Sequence, residues 1–147
     1  MKKLILLIPL LLAFNCLSQE TILDCKGKGQ KELKGEVVST YEREFLLYFD
    51  EQKNTVHLSE YATMCDAVRV LSDSKFTEKH KIDKKKIEYS CDVSFSLSDR
   101  NEKHSDTISI SRVTGEFKTH AVLNADKITD IILHTSKGTC KKASNKF

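Results

Sequence analysis

Apolar and polar residues alternate with a period of two along the second half of the chain. Every odd position over residues 87–97 is apolar and every even position is polar. This alternation predicts a β-strand with one buried and one solvated face. It returns over residues 107–112 and Glu116–Leu123, on either side of Gly115, whose tolerance of positive φ suits a tight turn. These three segments predict an antiparallel meander.

The first half carries similar signals. Residues 37–50 end in an apolar, β-rich stretch, residues 50–54 are typical of a turn, and Thr55–Leu58 predicts the returning strand of a hairpin. Further strands are predicted over residues 67–71 and from Ile131 onward, with a polar loop over residues 98–106. Residues 59–65 fit either one helical turn or a bend. The expected fold class is all-β, a single antiparallel sandwich or small barrel with at most one short helix.

The first residues resemble an export signal. Met1, Lys2 and Lys3 precede an apolar run over residues 4–14, and the small residues Cys16 and Ser18 fit the positions before a cleavage site. The run is about half of the ~20 residues that span a bilayer, so no transmembrane segment is predicted. We expect a signal peptide over residues 1–18, a β-domain over residues 19–147 and a basic tail over residues 138–147. The protein would be periplasmic or secreted; a lipoprotein attached through Cys16 is the alternative.

Four cysteines remain after the predicted leader. An even number in an oxidising compartment favours two disulfides, and four cysteines allow three pairings. We favour Cys25 with Cys140, which joins the ends of the domain, and Cys65 with Cys91. Their loops would contribute roughly 5 and 3.5 kcal/mol by the loop-entropy model. No cysteine spacing typical of a metal site occurs.

Charge limits the classes of partner. Charged residues make up 31% of the chain, which excludes a multi-span membrane protein, and the net charge of +3 falls to +1 when Lys2 and Lys3 leave with the leader. Nucleic acid is therefore not an expected partner. Two basic stretches are candidate sites for an anionic surface or an envelope protein. The first contains Lys79, Lys81, Lys84, Lys85 and Lys86, and residues 137–146 add four more lysines. The alternative is that these lysines keep a loop soluble and protect a sheet edge.

No catalytic constellation is visible in the sequence. The five histidines are scattered, without the spacing of a metal site, and no nucleophile elbow occurs. Residues 26–29 form a Lys-Gly-Lys-Gly stretch, which we interpret as a flexible glycine pair, because no Gly-Lys-Ser/Thr follows as in a phosphate loop. We expect no metal, no cofactor and no enzymatic activity.

Two hairpin motifs carry a family resemblance. Residues 49–56 read Phe-Asp-Glu-x-x-Asn-x-Val, and residues 110–117 read Ile-x-Arg-x-Thr-Gly-x-Phe. The chain thereby resembles a loose group of small bacterial exported proteins without a characterised activity, in which a cysteine near each end is common. The resemblance implies a fold and an export route but no chemistry. The architecture is also similar to that of periplasmic C-type lysozyme inhibitors, but their Ser-Gly-x-Gly loop has no counterpart here.

The function expected from the sequence is a non-enzymatic binding or accessory module of the cell envelope, most simply a monomer. A barrel that carries a small ligand is the alternative, and an unrecognised hydrolase is a third hypothesis. A carrier would have an interior cavity, whereas a binding module would have an exposed apolar or charged patch. A hydrolase would bring a histidine together with a serine or carboxylate in a cleft.

Overall fold

A computed structural model describes residues 20–59, 62–63, 65, 74–97, 100–123 and 131–143. Eight strands form one antiparallel sheet in the order β3-β2-β1-β8-β7-β6-β5-β4. Their bounds are β1 Thr21–Leu33, β2 Glu36–Asp50, β3 Thr55–Leu58, β4 Lys75–Ile82, β5 Lys86–Leu97, β6 Arg100–Ser111, β7 Glu116–Leu123 and β8 Ile132–Lys142.

The sheet is a nearly closed barrel. Each strand pairs with its neighbour in the chain, except that the last strand, β8, pairs with the first strand, β1, and that β3 and β4 touch without a hydrogen-bonded ladder. The all-β prediction is confirmed, and the arrangement is barrel-like. The favoured disulfides, Cys25–Cys140 and Cys65–Cys91, are both present. Cys25 and Cys140 are direct cross-strand partners, so this bond reinforces the β1–β8 ladder.

The two halves of the barrel interior differ in polarity. The half nearest the turns 51–54, 83–85 and 112–115, here called the turn end, holds the apolar core. Its buried side chains include Phe45, Leu47, Phe49, Val56, Ile87, Ile110 and Phe117. Toward the other end, inward positions of β2, β6 and β8 carry the polar side chains of Tyr41, Arg43, Asp106 and His134. On β5 and β7 the buried apolar side chains continue past this level with Val93 and Leu123.

Arg112 joins three turns at the turn end. Its guanidinium binds the Glu51 carboxylate, donates to the Asp83 carbonyl oxygen at 2.6 Å and lies 5.6 Å from the centre of the Phe49 ring. Asp50 closes the β2–β3 turn by accepting the backbone N–H groups of residues 52 and 53. The two motifs that carry the family resemblance therefore meet here, and their polar residues have a structural role.

The glycines of residues 26–29 lie within β1, so our interpretation of a flexible pair was wrong. Gly27 faces Gly138 of β8, and the ring of Phe117 covers the space that a Cβ at Gly138 would take. The ring of Tyr41 lies over Gly29 in the same way. Glycine here lets β1 and β8 lie close to bulky rings, which explains its presence inside a strand.

Polar segments account for the other differences from the sequence predictions. Most of the predicted loop 98–106 belongs to β6, because its inward positions, including Asp106, face the polar half of the interior. The predicted basic tail is in part strand, because β8 continues to Lys142 and pairs with β1. The strand predicted over residues 67–71 lies outside the described residues. Among the residues described, no helix is long and apolar enough to cross a membrane.

Candidate functional site

The five lysines singled out in the sequence lie along the β4–β5 hairpin, and Lys79 and Lys81 line a groove of about 430 Å³ formed by β4, β5 and β6. They are spread over β4, the turn that follows it and the first residue of β5: Lys79, Lys81, Lys84, Lys85 and Lys86. Part of their charge is compensated, since Lys86 lies 2.5 Å from Glu88 and Lys81 lies 3.8 Å from Asp83. The backbone N–H groups of Lys85 and Lys86 donate to the Asp83 carboxylate, and with the neighbouring lysine charges they lower its pKa. Lys79 and Lys81 lie on an edge strand, where lysine discourages pairing with other chains.

A different set of lysines is aligned on the outer face of the barrel. Lys28 on β1, Lys137 on β8 and Lys118 on β7 are direct cross-strand partners, and all three are exposed. We call them the lysine row. Directly opposed residues have Cβ atoms about 4.5–5.5 Å apart, at which distance like charges destabilise a sheet. Within the described part of the chain none of the three forms an ion pair, although Glu42 is the cross-strand neighbour of Lys28 on β2.

A groove of about 890 Å³ follows this row. The Glu42 carboxylate also lines it, and its second side is a parallel row of hydrogen-bonding side chains from Thr40, Gln30, Thr135 and His120. Three cations beside several hydrogen-bonding side chains suit a ligand that carries several anionic groups together with hydroxyl or ester oxygens. The lysine row is separated from β4 by β6 and β5, so the two basic regions are independent.

The polar half of the interior contains a cavity of about 250 Å³. Seven residues line it: Tyr41, Arg43, Thr63, Asp106, Thr119, Ala121 and His134. Thr63 belongs to the connection after β3, where the Ala62 carbonyl oxygen accepts a hydrogen bond from Arg43 and the Cys65 N–H donates to Asp106 at 3.3 Å. The Cys65–Cys91 disulfide ties the same connection to β5.

Burial shifts the pKa values of two titratable groups of this cavity in the direction that favours their neutral forms. Burial raises the pKa of Tyr41, an effect that the Arg43 charge opposes and the Asp106 charge reinforces. Burial lowers the pKa of His134, and the charges of Lys31 and Arg43 lower it further. The rings of Tyr41 and His134 lie with their centres 5.9 Å apart. The cavity therefore offers a phenol and a neutral imidazole beside a charged guanidinium.

The arrangement lacks the contacts of a nucleophilic enzyme in the residues that can be described. The hydroxyls of Thr119 and Ser136 bond to each other at 2.5 Å, and His134 has no hydrogen bond to either hydroxyl or to Asp106. Cys65, Cys91 and Asp106 offer atoms within 4.8 Å of one another. The two sulfurs are bonded to each other, so neither is a thiolate able to hold a metal ion.

Sequence reasoning missed the lysine row and the cavity for a common reason. Both depend on which strands are neighbours, above all on the pairing of β1 with β8, which aligns Lys28 with Lys137 and Lys31 with His134. Positions 134, 136, 138 and 140 hold histidine, serine, glycine and cysteine. This run of small and polar residues at every second position was the sequence signal for a polar inner face. A comparison of the chain with family models, curated proteins and solved structures found no match.

Proposed function

We propose that the protein is an exported, non-enzymatic binding module of the bacterial cell envelope that holds a phosphate-bearing polyanion along the lysine row. The observation that carries the proposal is the register of Lys28, Lys137 and Lys118. Like charges at directly opposed positions cost stability, and a multivalent anion would offset that cost. The two disulfides support an oxidising compartment, and the leader-like first residues support a periplasmic or secreted location.

The groove supports a ligand more extended than a single ion. The lysine row crosses three strands, and strands lie about 4.8 Å apart, so the outer ammonium groups are separated by roughly 10 Å. A chain of phosphate groups spans that distance, and the row of Thr40, Gln30, Thr135 and His120 offers hydrogen bonds beside it. We expect binding by a monomer, since the groove uses strands of one barrel.

The test measures binding of a short-chain polyphosphate by calorimetry at two salt concentrations. Replacing Lys28, Lys118 and Lys137 together by glutamine removes three charges, each worth about 1 kcal/mol near an anionic surface, so affinity should fall about 100-fold. The dependence of affinity on salt should also weaken, because fewer charge pairs remain to be screened.

The matched control replaces Lys79, Lys81 and Lys84 by glutamine. It changes the net charge equally but touches only the basic stretch singled out in the sequence, so affinity should change less than about threefold. Equal losses in the two triple variants would mean that net charge alone attracts the anion and would refute the proposal. Unaltered binding in the Lys28/Lys118/Lys137 variant would refute it as well.

A further inference from the structure

The interior cavity contains a cation, Arg43, that forms no ion pair with any residue of the described part of the chain. Arg43 is half-buried, and its Nη2 group donates to the carbonyl oxygen of Ala62. Its Nε atom is buried and has no hydrogen-bond partner among the described residues, and no carboxylate of those residues forms an ion pair with Arg43. A buried donor without an acceptor and a charge without a counterion both destabilise a fold. A ligand that supplies an acceptor and a negative charge would satisfy both.

The surroundings of Arg43 fit an anionic group. The Tyr41 hydroxyl, the Thr63 and Thr119 hydroxyls and the His134 imidazole line the same cavity and offer hydrogen bonds to it. Lys31 is the cross-strand partner of His134, and its charge lowers the pKa of that imidazole. A second cation therefore lies near the site.

Asp106 is the acidic residue among those lining the cavity, and the Cys65 N–H already donates to its carboxylate. The Arg43 guanidinium is therefore the group of the cavity that is suited to bind an anion. Guanidinium groups bind carboxylates through two parallel N–H bonds, which would use the Nε–H of Arg43.

The geometry points to a second binding site, in which the cavity holds a small organic carboxylate on Arg43. The volume of about 250 Å³ lies below the ~300 Å³ at which pockets for drug-sized ligands begin. The space equals that of roughly eight water molecules in the liquid, so the ligand is small. Ala121 contributes an apolar patch to the wall, which suits a short hydrocarbon part. This site is on the inner face and does not depend on the lysine row.

The test titrates acetate, succinate and benzoate into the isotopically labelled oxidised protein and follows backbone amide resonances by NMR. We expect at least one of the three to shift the amides of Thr119, Ala121 and His134 in a saturable way. Inorganic phosphate serves as a separate arm; binding of phosphate without any carboxylate would overturn the assignment of ligand class.

Two variants separate binding on Arg43 from other effects. Arg43→Gln removes the charge and should weaken binding at least tenfold, about 1.4 kcal/mol. Ala121→Leu keeps Arg43 but fills the cavity, and should also abolish the saturable shifts. The Lys28/Lys118/Lys137 glutamine variant should bind the small carboxylate unchanged, which distinguishes failure of this inference from failure of the proposed function.

Three results would overturn the inference. One is the absence of saturable shifts with every carboxylate; another is wild-type affinity in Arg43→Gln. The third concerns stability in the absence of ligand: if Arg43 serves only its contacts with Ala62 and with the Phe45 ring, 5.6 Å from its guanidinium, Arg43→Gln should be less stable than the wild type. If Arg43 awaits a ligand, removal of its charge should leave the urea midpoint unchanged or raise it.

Discussion

The disulfide between the first and last strands should contribute more to stability than any other single bond in the domain. Cys25 and Cys140 are 115 residues apart, and closing a loop of that length restricts the unfolded chain by about 5 kcal/mol in the loop-entropy model. Cys65 and Cys91 are 26 residues apart, for which the same model gives about 3.5 kcal/mol. Domains of this size are stable by about 5–15 kcal/mol in total, so either loss is large.

The perturbation is the double variant Cys25→Ala/Cys140→Ala, compared with Cys65→Ala/Cys91→Ala. Alanine is preferred to serine because Cys25, Cys65 and Cys91 are fully buried and a hydroxyl there would lack a partner. Cys25 and Cys140 lie opposite each other in a continuous ladder, so the native state of the first variant should keep its fold. The loss of stability should then arise from the greater freedom of the unfolded chain.

The assay is equilibrium unfolding in urea, followed by tryptophan-independent signals such as far-UV circular dichroism, since the chain has no tryptophan. With a slope of about 2 kcal/mol per molar urea, the Cys25→Ala/Cys140→Ala variant should unfold about 2.5 M earlier than the wild type. The second variant should unfold about 1.7 M earlier. A shift under about 0.5 M for the first variant, or a larger shift for the second, would refute the loop-closure reasoning. The larger second shift would instead assign the stabilisation to packing of the connection that carries Cys65.

Three further predictions concern side chains described above. Gly138→Ala should destabilise the barrel by about 2 kcal/mol in urea unfolding, because its Cβ would lie 2.6 Å from the Phe117 ring and closer still to backbone; a stability equal to wild type would contradict the close approach of β1 and β8. Burial lowers the pKa of His134 below its unfolded value, so the unfolded state takes up the proton first and stability should fall as pH drops below about 6.5. His134→Gln should lose less stability over pH 7 to 5; an identical pH profile would show that other groups are responsible. Arg112→Ala should cost about 2 kcal/mol and Arg112→Lys nearly as much, since lysine lacks the planar fork that reaches Asp83; full rescue by lysine, measured by thermal unfolding, would mean that charge alone matters.

The strands that could be predicted from the sequence are those whose inward side chains are apolar. The strands at 87–97 and Glu116–Leu123 were predicted within a residue because apolar side chains from these strands fill the turn end. β1 and the first half of β6 were missed, since their inward positions hold glycine, histidine and aspartate in place of apolar residues. An alternating apolar pattern identifies a strand only where the buried side chains are apolar, so it gives no signal where a barrel interior is polar.

The candidate sites were less predictable for a different reason. A run such as Lys84, Lys85 and Lys86 is visible in the sequence, but in the fold it is divided between a turn and a strand. The lysine row combines residues 28, 118 and 137, which become neighbours only through the closing ladder between β1 and β8. Long-range register of this kind follows from the whole topology and has no local signal.

The β1–β8 ladder also determines which part of the barrel can form last. While the polypeptide is being synthesised or threaded through a membrane pore, β1 to β3 and β4 to β7 can each pair locally, since every one of those contacts joins chain neighbours. The two sheets remain separate until the final strand arrives and joins them. A chain shortened before β8 would expose the edges of β1 and β7, which are templates for association with other chains. We therefore expect premature termination near residue 131 to yield an aggregating fragment.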